Sequence, residues 1–198
     1  MQATAKYLIL CIIIIANALK ALAQFPPQHP YQGNDAIHYS DTIIKSWISK
    51  ASLERGWQDI QDTTLGRASY GDTSSVIGPY NNQLVSLGDS GVITLFFAEG
   101  IRNGAGPDFV IFENGIVNLL DSTLAFLELA FVEVSTNGID YVRFPATTNT
   151  QDTLQLTNAD FIDASQINNF AGKYRAAYGT PFDLEELVAE SNINVDSI

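Results

Sequence analysis

Cysteine is almost absent: the one residue, Cys11, lies in an apolar N-terminal run, and nothing beyond it carries a thiol. Disulfides, thiolate nucleophiles and Cys-ligated zinc are thereby excluded from residues 24–198, and stability must come from packing. Basic residues are scarce as well, 10 against 22 acidic. That balance repels phosphate backbones and anionic lipid, so nucleic acid is excluded as a partner and a hard cation is favoured. Histidine occurs only as His29 and His38, which leaves few imidazoles for general-base chemistry or metal ligation.

What the N-terminus does contain is an export pattern. Lys6 supplies a positive charge, residues 7–18 form an apolar run, and Ala21-Leu22-Ala23 is a small-x-small site before Gln24. Asn17 and Lys20 interrupt the run short of the ~20 apolar residues a spanning helix needs. The expectation is a cleaved signal peptide over residues 1–23, no membrane span afterwards, and a secreted or cell-surface protein. Two of the 10 basic residues, Lys6 and Lys20, lie in that segment, so 8 remain against 22 acidic. Residues 24–198 have the size of one domain.

Along that domain, Pro26, Pro27 and Pro30 make residues 25–33 an irregular leader. Asp41 stands at an N-cap position, and Ile44, Trp47, Ile48 and Ala51 repeat at helical spacing until Gly56, which predicts one helix. Residues 58–82 read as loop. Runs at 83–87 and 92–98, joined by Gly88-Asp89-Ser90-Gly91, predict a hairpin, and 108–113 a short strand. The strongest signal is 126–135, then Thr136-Asn137-Gly138, then 139–144, a hairpin closed by Asn-Gly. A short helix over 183–190 is predicted, with Asp183 as cap and Glu186 completing a capping box. Short strands around tight turns, with helices outside the sheets, indicate a mainly β fold, an antiparallel β-sandwich with a few short peripheral helices.

Gly88-Asp89-Ser90-Gly91 resembles the nucleophile segment of trypsin-like proteases, but neither histidine has the flanking sequence that chemistry requires, and a turn accounts for the residues. Gly104-Ala105-Gly106 lacks a third glycine, because position 109 is Phe, and precedes a strand, so no phosphate cradle is read there. Asp89, Asn103, Asp108 and Asp121 bracket strand ends and are the candidates for Ca²⁺, which takes 6 to 8 oxygens from carboxylates, amides and carbonyls. Glu113, Glu128 and Glu133 are the candidates for paired-carboxylate hydrolysis, with Arg102 or Arg143 as a partner for a buried Glu128. Trp57, Tyr70, Tyr80, Tyr174 and Tyr178 are loop aromatics suited to stacking on a sugar ring, or equally to packing.

Several ordered segments carry a resemblance. They are Leu84-Val-Ser-Leu-Gly-Asp-Ser-Gly-Val-Ile-Thr-Leu95, Asn103-Gly-Ala-Gly-Pro-Asp-Phe-Val-Ile-Phe-Glu-Asn-Gly115, Glu128-Leu-Ala-Phe-Val-Glu-Val-Ser-Thr-Asn-Gly138, Ala171-Gly-Lys-Tyr-Arg175 and Tyr178-Gly-Thr-Pro-Phe-Asp-Leu184. Together they resemble a group of bacterial cell-surface proteins with sorting signals of the PEP-CTERM or type IX secretion kind and galactose-binding-like, discoidin-type sandwiches. The resemblance implies a jelly roll used for surface binding and brings no catalytic residues with it. Members of that group continue with further strands and a sorting tail beyond the position of Ile198, so a C-terminally incomplete domain is expected. The function expected is a non-catalytic module for a glycan or other extracellular ligand, stabilised by Ca²⁺. The alternatives are a carboxylate-based hydrolase and a structural or adhesive surface domain.

Overall fold

A computed structural model describes residues 25–150 and 160–198. The expected export signal lies outside the described residues. Among the described residues, fourteen short strands run in chain order: β1 Ile37–His38, β2 Lys50–Glu54, β3 Val92–Phe96, β4 Phe109–Ile111, β5 Ile116–Val117, β6 Leu124–Phe126, β7 Ala130–Phe131, β8 Glu133–Val134, β9 Val142–Arg143, β10 Thr147–Thr148, β11 Ile162–Asp163, β12 Ile167–Asn168, β13 Phe170–Ala171 and β14 Tyr178–Phe182. All pairings of these strands are antiparallel: β1-β14-β4, β11-β6-β5, β2-β3, β7-β13, β8-β9 and β10-β12. The described chain is mainly β, and its helical pieces are single 3-10 turns.

The predicted helix after Asp41 is not formed. Asp41 does cap one turn, its carboxylate accepting from the Ile43 N–H at 3.0 Å, but the turn does not propagate. The following residues explain why. Ser46, Ser49 and Ser52 with β-branched Ile43, Ile44 and Ile48 are weak helix formers, whereas Ala51 and Leu53 alternate inward and find Leu95 and Ile93 across the β2-β3 ladder.

That pairing also displaces the hairpin predicted between 83–87 and 92–98. The turn is present, with the Gly91 N–H on the Gly88 carbonyl at 2.9 Å, but Asp89 exchanges backbone hydrogen bonds with Trp57 at 2.8 and 3.0 Å, and β3 pairs with β2. Gly56 makes this crossing possible. A Cβ there would lie 2.1 Å from the Asp89 carbonyl oxygen, so only glycine lets the two backbones meet. Arg55 fastens the surrounding loops, its guanidinium donating to the carbonyls of Tyr70 and Ser86 at 2.8 Å and to that of Gly71.

The hairpin around Asn137-Gly138 forms with shorter arms than the 126–135 and 139–144 predicted, because β6 and β7 pair instead with β11 and β13. Glu133↔Arg143 and Val134↔Val142 are cross-strand partners, and Asn137 Oδ1 accepts from the N–H groups of Ile139 and Asp140 at 2.9 Å. Its alternation buries Val132, Val134, Val142 and Phe144. These pack with Ala171, Phe182, Leu184 and Leu187, and Phe182 stacks on Phe109 at 5.2 Å. Ala125, Leu127, Ile162, Ile167 and Phe170 make a second core. The predicted helix at 183–190 is reduced to one turn, Leu184–Leu187. Asp183 caps it as expected, but Glu186 accepts from Asn169 Nδ2 at 2.5 Å, not from the cap backbone.

Candidate functional site

The site is built on the β1-β14-β4 sheet. Ile37 sits opposite Gly179, and Pro181 and Phe182 sit opposite Val110 and Phe109. A Cβ on Gly179 would lie 2.4 Å from Val110 Cγ2 and 3.0 Å from Phe112 Cε1, so the bare central strand lets the β4 side chains lean across it. Beside them a groove of about 290 Å³ is bounded by Ile37, Phe109 and Val110 of the sheet and by segments 43–48 and 97–102. Ile44, Trp47 and Ile48, whose spacing imitates a helix stripe, are wall residues of this groove, and so is Ile43. Its polar groups are Lys45, Ser46, Arg102 and Asp108.

From Trp47 a file of rings leads away from the groove. Trp47 and Tyr80 each pack on Phe112 at 5.7 Å, and Tyr80 stacks on Tyr39 at 4.6 Å. Tyr39 meets His38 at 4.4 Å, His38 meets Tyr178 edge-on at 4.9 Å, and Tyr178 stacks on His29 at 3.9 Å. Geometries of this kind stabilise aromatic pairs beyond the area they bury.

The far end of the file is a clasp between the leader and residues 173–178. Gln28, which is buried, accepts from the Arg175 N–H at 3.0 Å and donates to the Lys173 carbonyl at 3.4 Å. The Tyr174 hydroxyl donates to Asp35, and burial together with that carboxylate pushes its pKa above the ordinary tyrosine range. Lys173 is 1% exposed and its Nζ has no hydrogen-bond partner; burial pulls its pKa down to about 8, against the attraction of Asp35. Burial also lowers the His29 pKa, with the nearby positive charges of Arg175 and His38 acting in the same sense.

The sequence-derived candidates are spread over several places. Tyr80 and Tyr178 belong to the ring file. Trp57 is covered by the Arg67 guanidinium at 3.7 Å, and Tyr70, 63% exposed, is held through its backbone carbonyl by Arg55. Asp89 accepts from the Ile60 N–H at 2.8 Å, and Asp121 accepts from Thr123 Oγ1 at 2.6 Å and from its N–H at 3.0 Å. Asn103 and Asp108 share one loop; Asn103 Oδ1 is buried without a donor, and its Nδ2 donates to Glu185 at 2.9 Å. Among the described residues, no group of three or more His, Cys, Asp or Glu is placed to hold a metal ion.

The carboxylates proposed for hydrolysis do not converge as a set. Glu133 is salt-bridged to Arg143 at 2.7 Å. Glu128 is exposed, not buried, and Arg102 lines the groove instead of pairing with it. Glu113 is half-buried; burial pushes its carboxyl up to about 7, opposed by the Asn114 N–H and reinforced by the Glu128 carboxylate. Ser90 sits in its turn at φ 62°, while both histidines pack on Tyr178.

Sequence reasoning missed the groove cations and the clasp. The spacing around Lys45 and Trp47 suggests a helix, Arg102 suggests an ion pair with Glu128, the prolines make the leader irregular, and no local pattern links Gln28 to Arg175. No protein-family model, curated protein or solved structure matches the chain. No helix among the described residues is long and apolar enough to cross a membrane.

Proposed function

We propose that this protein is a non-catalytic binding module, exported to the cell surface or beyond, which holds an extracellular ligand in the groove beside the β1-β14-β4 sheet. The carrying observation is a concave site whose apolar walls include Trp47, Phe97 and Phe109 and whose polar side chains are Lys45, Ser46, Arg102 and Asp108. Pockets of that composition hold small molecules or single residues of larger ligands. A purely structural domain has no need of one. Glu133 is held by Arg143 and none of Glu113, Glu128 and Glu133 lines the groove, which favours binding over hydrolysis there, although Glu113 and Glu128 lie within electrostatic reach of each other. The sandwich arrangement belongs to this reading, supported by the antiparallel pairing of all strands and by two apolar cores.

Calcium enters this reading at the Asn103-Asp108 loop, where the unpartnered Asn103 Oδ1 supplies an oxygen; a calcium-dependent rise in Tm that Asn103→Ala removes is its test. The groove itself is tested by saturable quenching of Trp47 in a Trp57→Phe background, screened against a glycan panel and a panel of small apolar compounds. Binding that Phe109→Ala weakens at least tenfold supports the reading. A screen with no saturable response in either panel overturns it.

A further inference from the structure

The groove differs in charge from the molecule that carries it, and this names the chemistry of its ligand, provided the groove is the binding site. The chain has 22 acidic residues against 10 basic ones, yet the groove lining holds two cations, Lys45 and Arg102, and one carboxylate, Asp108. That carboxylate is already satisfied: Oδ1 accepts from the Gly104 N–H at 2.7 Å and Oδ2 from the Leu184 N–H at 2.8 Å. Lys45 donates only to a neutral acceptor, the Thr42 carbonyl, at 2.7 Å. Arg102, exposed at the rim like Lys45, has no hydrogen-bonding or ionic partner among the described residues. A guanidinium of this kind presents a fork that matches a carboxylate with two parallel hydrogen bonds.

The side chains of the remaining walls are mainly Ile37, Ile44, Trp47, Phe97 and Phe109, with Ser46 the one hydroxyl among them. Burying sugar hydroxyls against them without partners is costly. A cationic ligand is repelled by Lys45 and Arg102, and a neutral apolar one leaves Arg102 unused. The volume of about 290 Å³ is at the small end of ligand sites. We infer that the groove takes a small apolar carboxylate, an aryl- or alkyl-carboxylic acid, with its body among the aromatic and aliphatic walls and its carboxylate on Arg102.

The test is calorimetric titration of the whole chain at pH 7.5 with 4-phenylbutyrate and with its neutral isostere 4-phenylbutanamide. The expected result is saturable binding of the acid at least tenfold tighter than the amide, as charge-assisted hydrogen bonds imply. Arg102→Gln should bring the acid to the affinity of the amide, Lys45→Gln should cause a smaller loss, and added salt should weaken the acid alone. Equal binding of acid and amide, unmoved by Arg102→Gln, overturns the carboxylate assignment and leaves the groove as a binding site. Failure of both compounds to bind overturns the carboxylate assignment, and the groove itself then stands or falls on the glycan and apolar-compound screens.

Discussion

The Arg175 guanidinium lies 3.2 Å from Nδ1 of His29, and because a guanidinium has donors and no acceptor, the imidazole must offer its lone pair there. His29 is therefore neutral in the docked leader, with its ring stacked on Tyr178. Protonation replaces the hydrogen bond with two facing cations, in a place where His38 adds a third titratable group.

The sign of the resulting pH dependence follows. A histidine whose folded pKa is depressed contributes stability that is present above its unfolded value, about 6.5, and lost as pH falls through the folded one. Glu113 acts oppositely: with its folded pKa raised to about 7 from 4.5, the folded state gains stability as pH falls across that interval. The informative quantity is thus the difference between wild type and His29→Gln. Between pH 7.5 and 5 the wild-type Tm should fall relative to the variant, and protease cleavage within residues 25–35 should rise in parallel. Parallel Tm curves would show that the leader does not sense protonation.

Lys173 carries a stability cost. An ammonium buried without a hydrogen bond is expensive, so Lys173→Met, which keeps the length and removes the charge, is expected to stabilise the fold by about 1–3 kcal/mol in urea denaturation. Wild-type stability should also climb between pH 8 and 10.5, where the folded state has released the proton and the unfolded state retains it, and this rise should vanish in the variant. A variant less stable than wild type would mean that Lys173 has a partner in solution.

Gly56→Ala is expected to cost on the order of 3 kcal/mol, because the new methyl would stand 2.1 Å from a carbonyl oxygen that belongs to the opposing backbone. The urea midpoint measures it. A wild-type midpoint would mean that the Gly56 and Asp89 backbones do not cross in solution.

Parts of this architecture were legible in the sequence for local reasons. The β8-β9 hairpin is set by Asn137-Gly138 and by the alternation of Val132, Val134, Val142 and Phe144, and Asp183 announces its turn because capping is a matter of adjacent residues. The helix expected after Asp41 failed because Ile44, Trp47 and Ile48 are spaced for one helix face but serve as walls of a groove, and spacing alone does not distinguish the two. The partner of β3 was misassigned for a similar reason. Gly88 and Gly91 announced a turn correctly, but the choice of β2 over residues 83–87 depends on the Gly56 crossing, a long-range event. The clasp is wholly non-local, and of the groove cations only the side-chain chemistry was visible, not their convergence.

Gln28 bonds to Arg175 across 147 positions. A chain that exits a ribosome or an export channel in order has its leader waiting while almost all of its remaining length emerges, and closing so long a loop delays the final step. The clasp therefore closes only after Arg175 has emerged, and until then Lys173 and Tyr174 lack the contacts that Gln28 and Asp35 make with them.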